Sequence, residues 1–208
     1  MTNVKICGIM TPEHARIAVE AGARYIGLVF APSRRRVSLD QARTIIAALR
    51  EANRQHSAQV EAVGVFVNAT ADEINTIAAD VGLDHVQLSG HEGIEIARAI
   101  DVPVIKAIRF DGHASEGAWV DQRAHPLLID AHVPGSFGGA GVTGDWQRAA
   151  DLAHTLQVWL AGGLTPFNVA DAVQQVQPAV VDVSSGVETD GVKDAEKIRA
   201  FIKHAMQL

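Results

Sequence analysis

Eight short apolar runs, each followed by a stretch with helical spacing, limit what this chain can fold into more than any other feature. The runs are Val4–Cys7, Tyr25–Phe30, Ala62–Val67, Asp84–Leu88, Pro103–Ile108, Leu127–Asp130, Val158–Ala161 and Ala179–Val181. Most are apolar on consecutive residues, as expected of strands buried on both faces. The spacing predicts helices over Pro12–Ala21, Leu39–Ala52, Thr70–Val81, Glu92–Ile100, Ala114–Gln122 (weakened by Gly117), Asp145–Thr155, Pro166–Gln175 and Lys193–Met206, with Thr11 and Thr165 as N-caps. Strands alternating with helices imply parallel pairing through right-handed crossovers. A doubly wound open sheet would satisfy the same alternation. Eight units, with small-residue turns after the last two, favour a closed (β/α)8 barrel. At 208 residues and 48% hydrophobic content, the chain reads as one compact domain, residues 1–208.

The two turns that tip the balance are Ala161–Leu164 and Asp182–Glu188. Gly162, Gly163, Ser185 and Gly186 offer backbone N–H groups after strands seven and eight, where barrels of this kind hold a phosphate. The glycine-rich loop Pro134–Gly144 after strand six adds Gly141 as a further donor. The net charge of −6 argues against a general nucleic-acid or anionic-membrane surface but leaves room for a local basic pocket. Cys7 is the single cysteine, so no intrachain disulfide forms, and an unpaired thiol fits a reducing cytoplasm. No signal peptide or membrane-spanning run is visible. The chain reads as free-standing, from strand one to helix eight.

In a barrel the reactive groups stand at the C-terminal ends of strands. Those ends are Cys7, the loop with Arg34, Arg35 and Arg36, Asn68, Ser89, Arg109, Asp130, Gly162 and Asp182. Cys7 and Asp130 stand out: a thiol and a carboxyl in one pocket can serve as base and acid of one proton-transfer reaction. The bland readings are a small buried hydrophobe for Cys7 and a loop-capping carboxylate for Asp130. Lys5 shares a strand face with Cys7, but a two-residue spacing does not by itself bring the side-chain tips together, which leaves the thiol without an assigned activator. His14, His56, His113, His125 and His154 show no metal-ligand spacing. No metal and no organic cofactor is expected.

Taken together, Lys5–Ile9, Ser33–Val37, Gly64–Asn68, Lys106–Arg109, Asp130 with Gly138–Gly141, Ala161–Leu164 and Asp182–Glu188 resemble the phosphoribosylanthranilate isomerase (TrpF) family. The motifs run in order through nearly the whole chain. The resemblance implies an Amadori rearrangement in tryptophan biosynthesis, from N-(5-phosphoribosyl)anthranilate to 1-(2-carboxyphenylamino)-1-deoxyribulose 5-phosphate. It implies Asp130 as general acid at the furanose oxygen and Cys7 as general base at C2′. Arg35 matches the arginine that grips the anthranilate carboxylate, with a fork suited to two parallel hydrogen bonds; Arg34 and Arg36 read as a solvated loop. The phosphate falls to Gly141, Gly162, Gly163, Ser185 and Gly186, with Asp182 orienting rather than contacting it. Arg36 and Ser89 depart from the family, which commonly has an aromatic residue and a histidine there. The expected partner is a small phosphorylated substrate, not nucleic acid or membrane, and the expected state is a monomer. Alternatives are the histidine-pathway isomerase, which would show two aspartates and a half-barrel repeat, and a barrel that binds a phospholigand without turnover.

Overall fold

The structure is a computed structural model, and it describes residues 2–130 and 145–206. Its strands are β1 (Asn3–Cys7), β2 (Tyr25–Val29), β3 (Glu61–Phe66), β4 (His85–Leu88), β5 (Val104–Ile108), β6 (Leu127–Ile129), β7 (Val158–Leu160) and β8 (Val180–Val183). They pair in that order, all parallel, and β8 closes on β1. The closed (β/α)8 barrel is therefore correct. Among the described residues, no helix is long and apolar enough to cross a membrane.

Two apolar layers follow from the strand alternation. Val63, Ile105, Ala107, Leu128, Trp159 and Val180 fill the barrel. The residues between them, such as Val4, Ile6, Val104 and Ile108, pack outward against the helices. Burial on both sides is why the strands read as continuous apolar runs.

The helices start where their caps are. Helix α1 (Pro12–Ala21) opens on Thr11, whose hydroxyl accepts from the His14 N–H, and ends at Gly22 with φ 94°, a left-handed position that glycine fills without strain. Helices α2 (Leu39–His56) and α3 (Ala71–Val81) each open on a reciprocal capping box, Ser38 with Gln41 and Thr70 with Glu73. Helix α4 (Ser115–Gln122) runs through Gly117 without a break, and α5 (Trp146–Ala153) is capped by Asp145.

Three expected helices differ. The segment after β4 is a 3₁₀ helix, Ile94–Ala99, because Glu92 is drawn into the core rather than starting a helical turn. Helix α6 is Val169–Val176 with Asn168 as its cap; Thr165 instead closes the turn before it, its N–H donating to Asn168 Oδ1 at 2.7 Å. The last helix, α7, is Ala195–Met206. Lys193 precedes it in a two-stranded ribbon, β9 (Glu188–Thr189) with β10 (Val192–Lys193).

Candidate active site

Strand register assembles the centre of the site. In the β1–β8 pair Lys5 lies opposite Asp182, and in the β1–β2 pair Cys7 lies opposite Gly27. Lys5 is fully buried inside the barrel. Its ammonium donates to Asp182 Oδ1 at 2.9 Å and to Gln87 Oε1 at 3.0 Å. Gln87 Nε2 in turn donates to Ser89 Oγ at 3.0 Å. A polar chain thus crosses the upper barrel from β8 to the end of β4. Burial alone would lower the Lys5 pKa, but Asp182 and Cys7 together outweigh it and the pKa is raised.

Lys5 and Cys7 do meet at their tips, contrary to the reading from spacing. A β-carbon built on Gly27 would stand 2.8 Å from Cys7 Sγ and 3.1 Å from Lys5 Nζ. The missing side chain is the space in which the two groups converge. Burial pushes the Cys7 thiol up; the Lys5 charge pulls it back down and Asp182 opposes that pull, leaving the pKa raised overall.

The arginine loop resolves as the spacing favours. Arg35 is buried, with Arg34 and Arg36 exposed. Arg35 lies across Gly8, where a β-carbon would meet its Cδ at 2.5 Å and Ser184 Oγ at 3.2 Å. Its Nε and Nη2 donate to the two oxygens of Glu188 at 2.7 and 3.0 Å. Arg34, expected in solvent, also reaches Glu188 at 2.6 Å. Lys193 Nζ joins them, donating to Glu188 Oε1 at 2.7 Å and to the Ser184 carbonyl at 2.9 Å. Burial would raise the Glu188 pKa, but hydrogen bonds from Arg35 and Lys193 prevail and lower it to about 2.

Glu188 and Lys193 received no role in the sequence reading. The signal for Lys193 was present in Asp190-Gly191, a dipeptide favoured in tight hairpin turns. Both residues have positive φ, 51° and 81°, and the turn folds Lys193 back onto Glu188.

Asp130 follows β6 directly, its N–H donating to the Ile108 carbonyl at 3.0 Å, so it stands at the mouth with the other strand ends. Gly162 and Gly163 both have positive φ, 87° and 62°. After β8, Ser185–Val187 forms a short 3₁₀ turn. Gly186 presses on the loop after β7: a β-carbon there would lie 1.9 Å from the Leu164 carbonyl oxygen. The N–H groups of Gly162 and Gly163, in the turn after β7, meet no acceptor among the described residues; Ser185 and Gly186 begin the short turn after β8. Gly141 lies outside the described residues.

A closed parallel barrel with a thiol, a carboxyl, a cation cluster and two small-residue turns at the C-terminal ends of its strands defines an enzyme of the (β/α)8 class, with its chemistry at that face. Residues 4–204 match the model of the N-(5′-phosphoribosyl)anthranilate (PRA) isomerase family. The chain is 57% identical over 210 residues to the N-(5′-phosphoribosyl)anthranilate isomerase of Roseiflexus sp. (strain RS-1), covering 99% of this chain and 98% of that protein. It superposes on phosphoribosyl anthranilate isomerase from Thermotoga maritima with a TM-score of 0.87, at 39% identity and over all of both chains. A further phosphoribosyl anthranilate isomerase structure, in complex with reduced 1-(o-carboxyphenylamino)-1-deoxyribulose 5-phosphate, matches with a TM-score of 0.84 at 38% identity over all of both chains. The chain belongs to the phosphoribosylanthranilate isomerase family, aldose–ketose isomerases of tryptophan biosynthesis.

Proposed function

We propose that the chain isomerises N-(5-phosphoribosyl)anthranilate with Asp130 as general acid and Cys7 as general base. Asp130, protonated, gives its proton to the furanose ring oxygen as the C1′–O bond breaks and a protonated Schiff base forms. Cys7, as thiolate, takes the proton from C2′. The electron pair left at C2′ neutralises the iminium and forms the enolamine, which tautomerises to the ketone. These steps need two proton carriers and charge clamps, with no metal or cofactor.

The observation that carries this reading is the position of Arg35, whose side chain lies across Gly8, the residue that follows Cys7. A carboxylate held by that guanidinium would bring its sugar over the thiol. Arg34, Arg35 and Lys193 gather three positive charges on the single carboxylate of Glu188. The excess suits the anthranilate carboxylate. The phosphate falls to the N–H groups of Gly162, Gly163, Ser185 and Gly186, with Gly141 from the loop after β6. Asp182, engaged by Lys5, orients the site rather than touching the phosphate. The reading includes a monomer working in the cytoplasm; light scattering tests the first part, and a dimer mass would overturn it.

The test is turnover of freshly made phosphoribosylanthranilate, followed by loss of anthranilate fluorescence with chelator present. Cys7→Ala and Asp130→Asn should each lower kcat by about 10²–10⁴-fold, the usual contribution of a positioned acid or base. Near-normal turnover in either variant removes that residue from the mechanism.

A further inference from the structure

Burial works against Cys7. A base must spend part of its time as thiolate, and a thiol enclosed by protein is pushed toward its neutral form. The groups that face it are Lys5 on its own strand, Asp182 on β8, Lys193 from the ribbon, and Arg35 across Gly8. β2 contributes only the bare backbone of Gly27. Of the cations, Lys193 is held by Glu188 and Ser184, and Arg35 is engaged through Nε and Nη2 by both oxygens of Glu188. Lys5 is different. Two of its three N–H bonds are taken, by Asp182 and Gln87, and both hold the ammonium at the gap over Gly27 where the sulfur lies.

We propose that Lys5 is a positioning residue for the reaction: its ammonium, anchored by Asp182 and Gln87, stabilises the Cys7 thiolate and aims the sulfur into the mouth of the barrel. The proposal rests on Cys7 being the base. In the proton balance Lys5 keeps all three of its protons. The C2′ proton passes to sulfur, the electron pair stays with the substrate, and the ammonium supplies only charge. Asp182 fixes the ammonium in place and, as a second negative charge near the sulfur, limits how far the thiol ionises before substrate arrives. A fully formed thiolate would be the form most open to oxidation.

An ordinary buried ion pair with no part in catalysis would look similar in a static structure, but removing it would leave kcat and the pH–rate profile of the folded enzyme unmoved. Cys7 is the only cysteine, so the rate of iodoacetamide alkylation against pH reports this thiol alone. Lys5→Met removes the positive charge and should move the thiol titration to higher pH, slowing alkylation at fixed mildly alkaline pH by about tenfold or more, the change in thiolate fraction given by one pKa unit. Asp182→Asn removes the competing negative charge. The ammonium then has the thiolate as its nearest anionic partner, and the titration should move to lower pH. In steady state Lys5→Met should lower kcat with little change in KM, and the alkaline shift should appear in the pH–rate profile.

A Lys5→Met titration identical to wild type, or shifts of the same sign in both variants, would overturn the proposal. If Lys5→Met does not fold, Asp182→Asn alone decides it, since an unmoved or alkaline-shifted thiol there has the wrong sign. Failure of the underlying assignment is separate: Cys7→Ala would then turn over normally, whatever the alkylation rates show.

Discussion

Two lysines sit in this barrel with almost no exposed surface, each paired with a carboxylate, and they face opposite sides of the barrel wall. Lys5 is 0% exposed and lies 2.9 Å from Asp182; Lys106 is 1% exposed and lies 2.6 Å from Glu92. The difference is the side of the strand. In β5, Ile105 and Ala107 point into the barrel, so Lys106 between them points outward. There it donates to the Gly90 carbonyl at 2.6 Å and stands 5.9 Å above the Trp119 ring. Its partner Glu92 accepts from the Asn68 N–H at 2.7 Å and the Gly90 N–H at 3.1 Å. This pair ties the loops after β3 and β4 to β5. In β1, Val4 and Ile6 point outward, so Lys5 points in, at Cys7. Burial of a charge needs a partner in either place; the face decides whether the charge also reaches the Cys7 thiol.

The largest test of that distinction is Lys106→Met. Removing one partner of a buried pair leaves the other charge uncompensated, which typically costs about 3–5 kcal/mol. The loss should appear as a lower urea midpoint with an unchanged m-value. The folded enzyme should keep its kcat, because Lys106 faces away from the interior. A kcat loss matching that of Lys5→Met would erase the difference between the two faces.

The parity that separates the two lysines was legible in the sequence, since Lys5 stands two residues before Cys7 and Lys106 three before Arg109. So were all eight strands to within a residue or two, because burial on both faces leaves unbroken apolar runs. Arg35, among three consecutive arginines, stands out through its place in the family pattern, and it is the buried one of the three. What could not be read was anything that depended on a gap across strands. The meeting of Lys5 and Cys7 needs Gly27 opposite Cys7, and register between strands is not written in either strand. The 3₁₀ segment after β4 was missed for a similar reason. Glu92 spends its side chain on Lys106 and its carbonyl on Trp119 Nε1 at 2.9 Å, so the residue expected to begin a helix anchors a loop instead.

A second test uses acid. The Glu188 pKa is lowered to about 2, so its charged form is favoured by folding. A depressed carboxylate contributes stability above its unfolded pKa, near 4.5, and loses it as pH falls through the folded value. The contribution at neutral pH is on the order of 3 kcal/mol. Glu188→Gln should be less stable than wild type near pH 7, and the gap should close as pH falls from about 5 toward 2. A gap independent of pH would mean that Glu188 acts by packing rather than by charge. The cation cluster at the mouth would then lose its electrostatic explanation, while the outward pair at Lys106 would keep its own.

The smallest expected effect discriminates most finely. An outward pair that only holds loops together can be replaced by neutral groups, provided that every hydrogen bond it made is kept. Lys106→Met with Glu92→Gln meets that condition. The glutamine oxygen can still accept from the Asn68 and Gly90 N–H groups, and its amide can donate to the Gly90 carbonyl that Lys106 leaves behind. The double variant should therefore recover most of what Lys106→Met loses, ending within about 1–2 kcal/mol of wild type. No matching neutral replacement exists for Lys5 and Asp182 if the ammonium acts on Cys7. Lys5→Met with Asp182→Asn removes both charges, though Gln87 Oε1 loses its donor, so it should recover part of the stability that Lys5→Met loses and leave kcat low. Stability regained on both faces, with activity regained in neither variant of the inner pair, is what separates a charge kept for folding from one kept for chemistry.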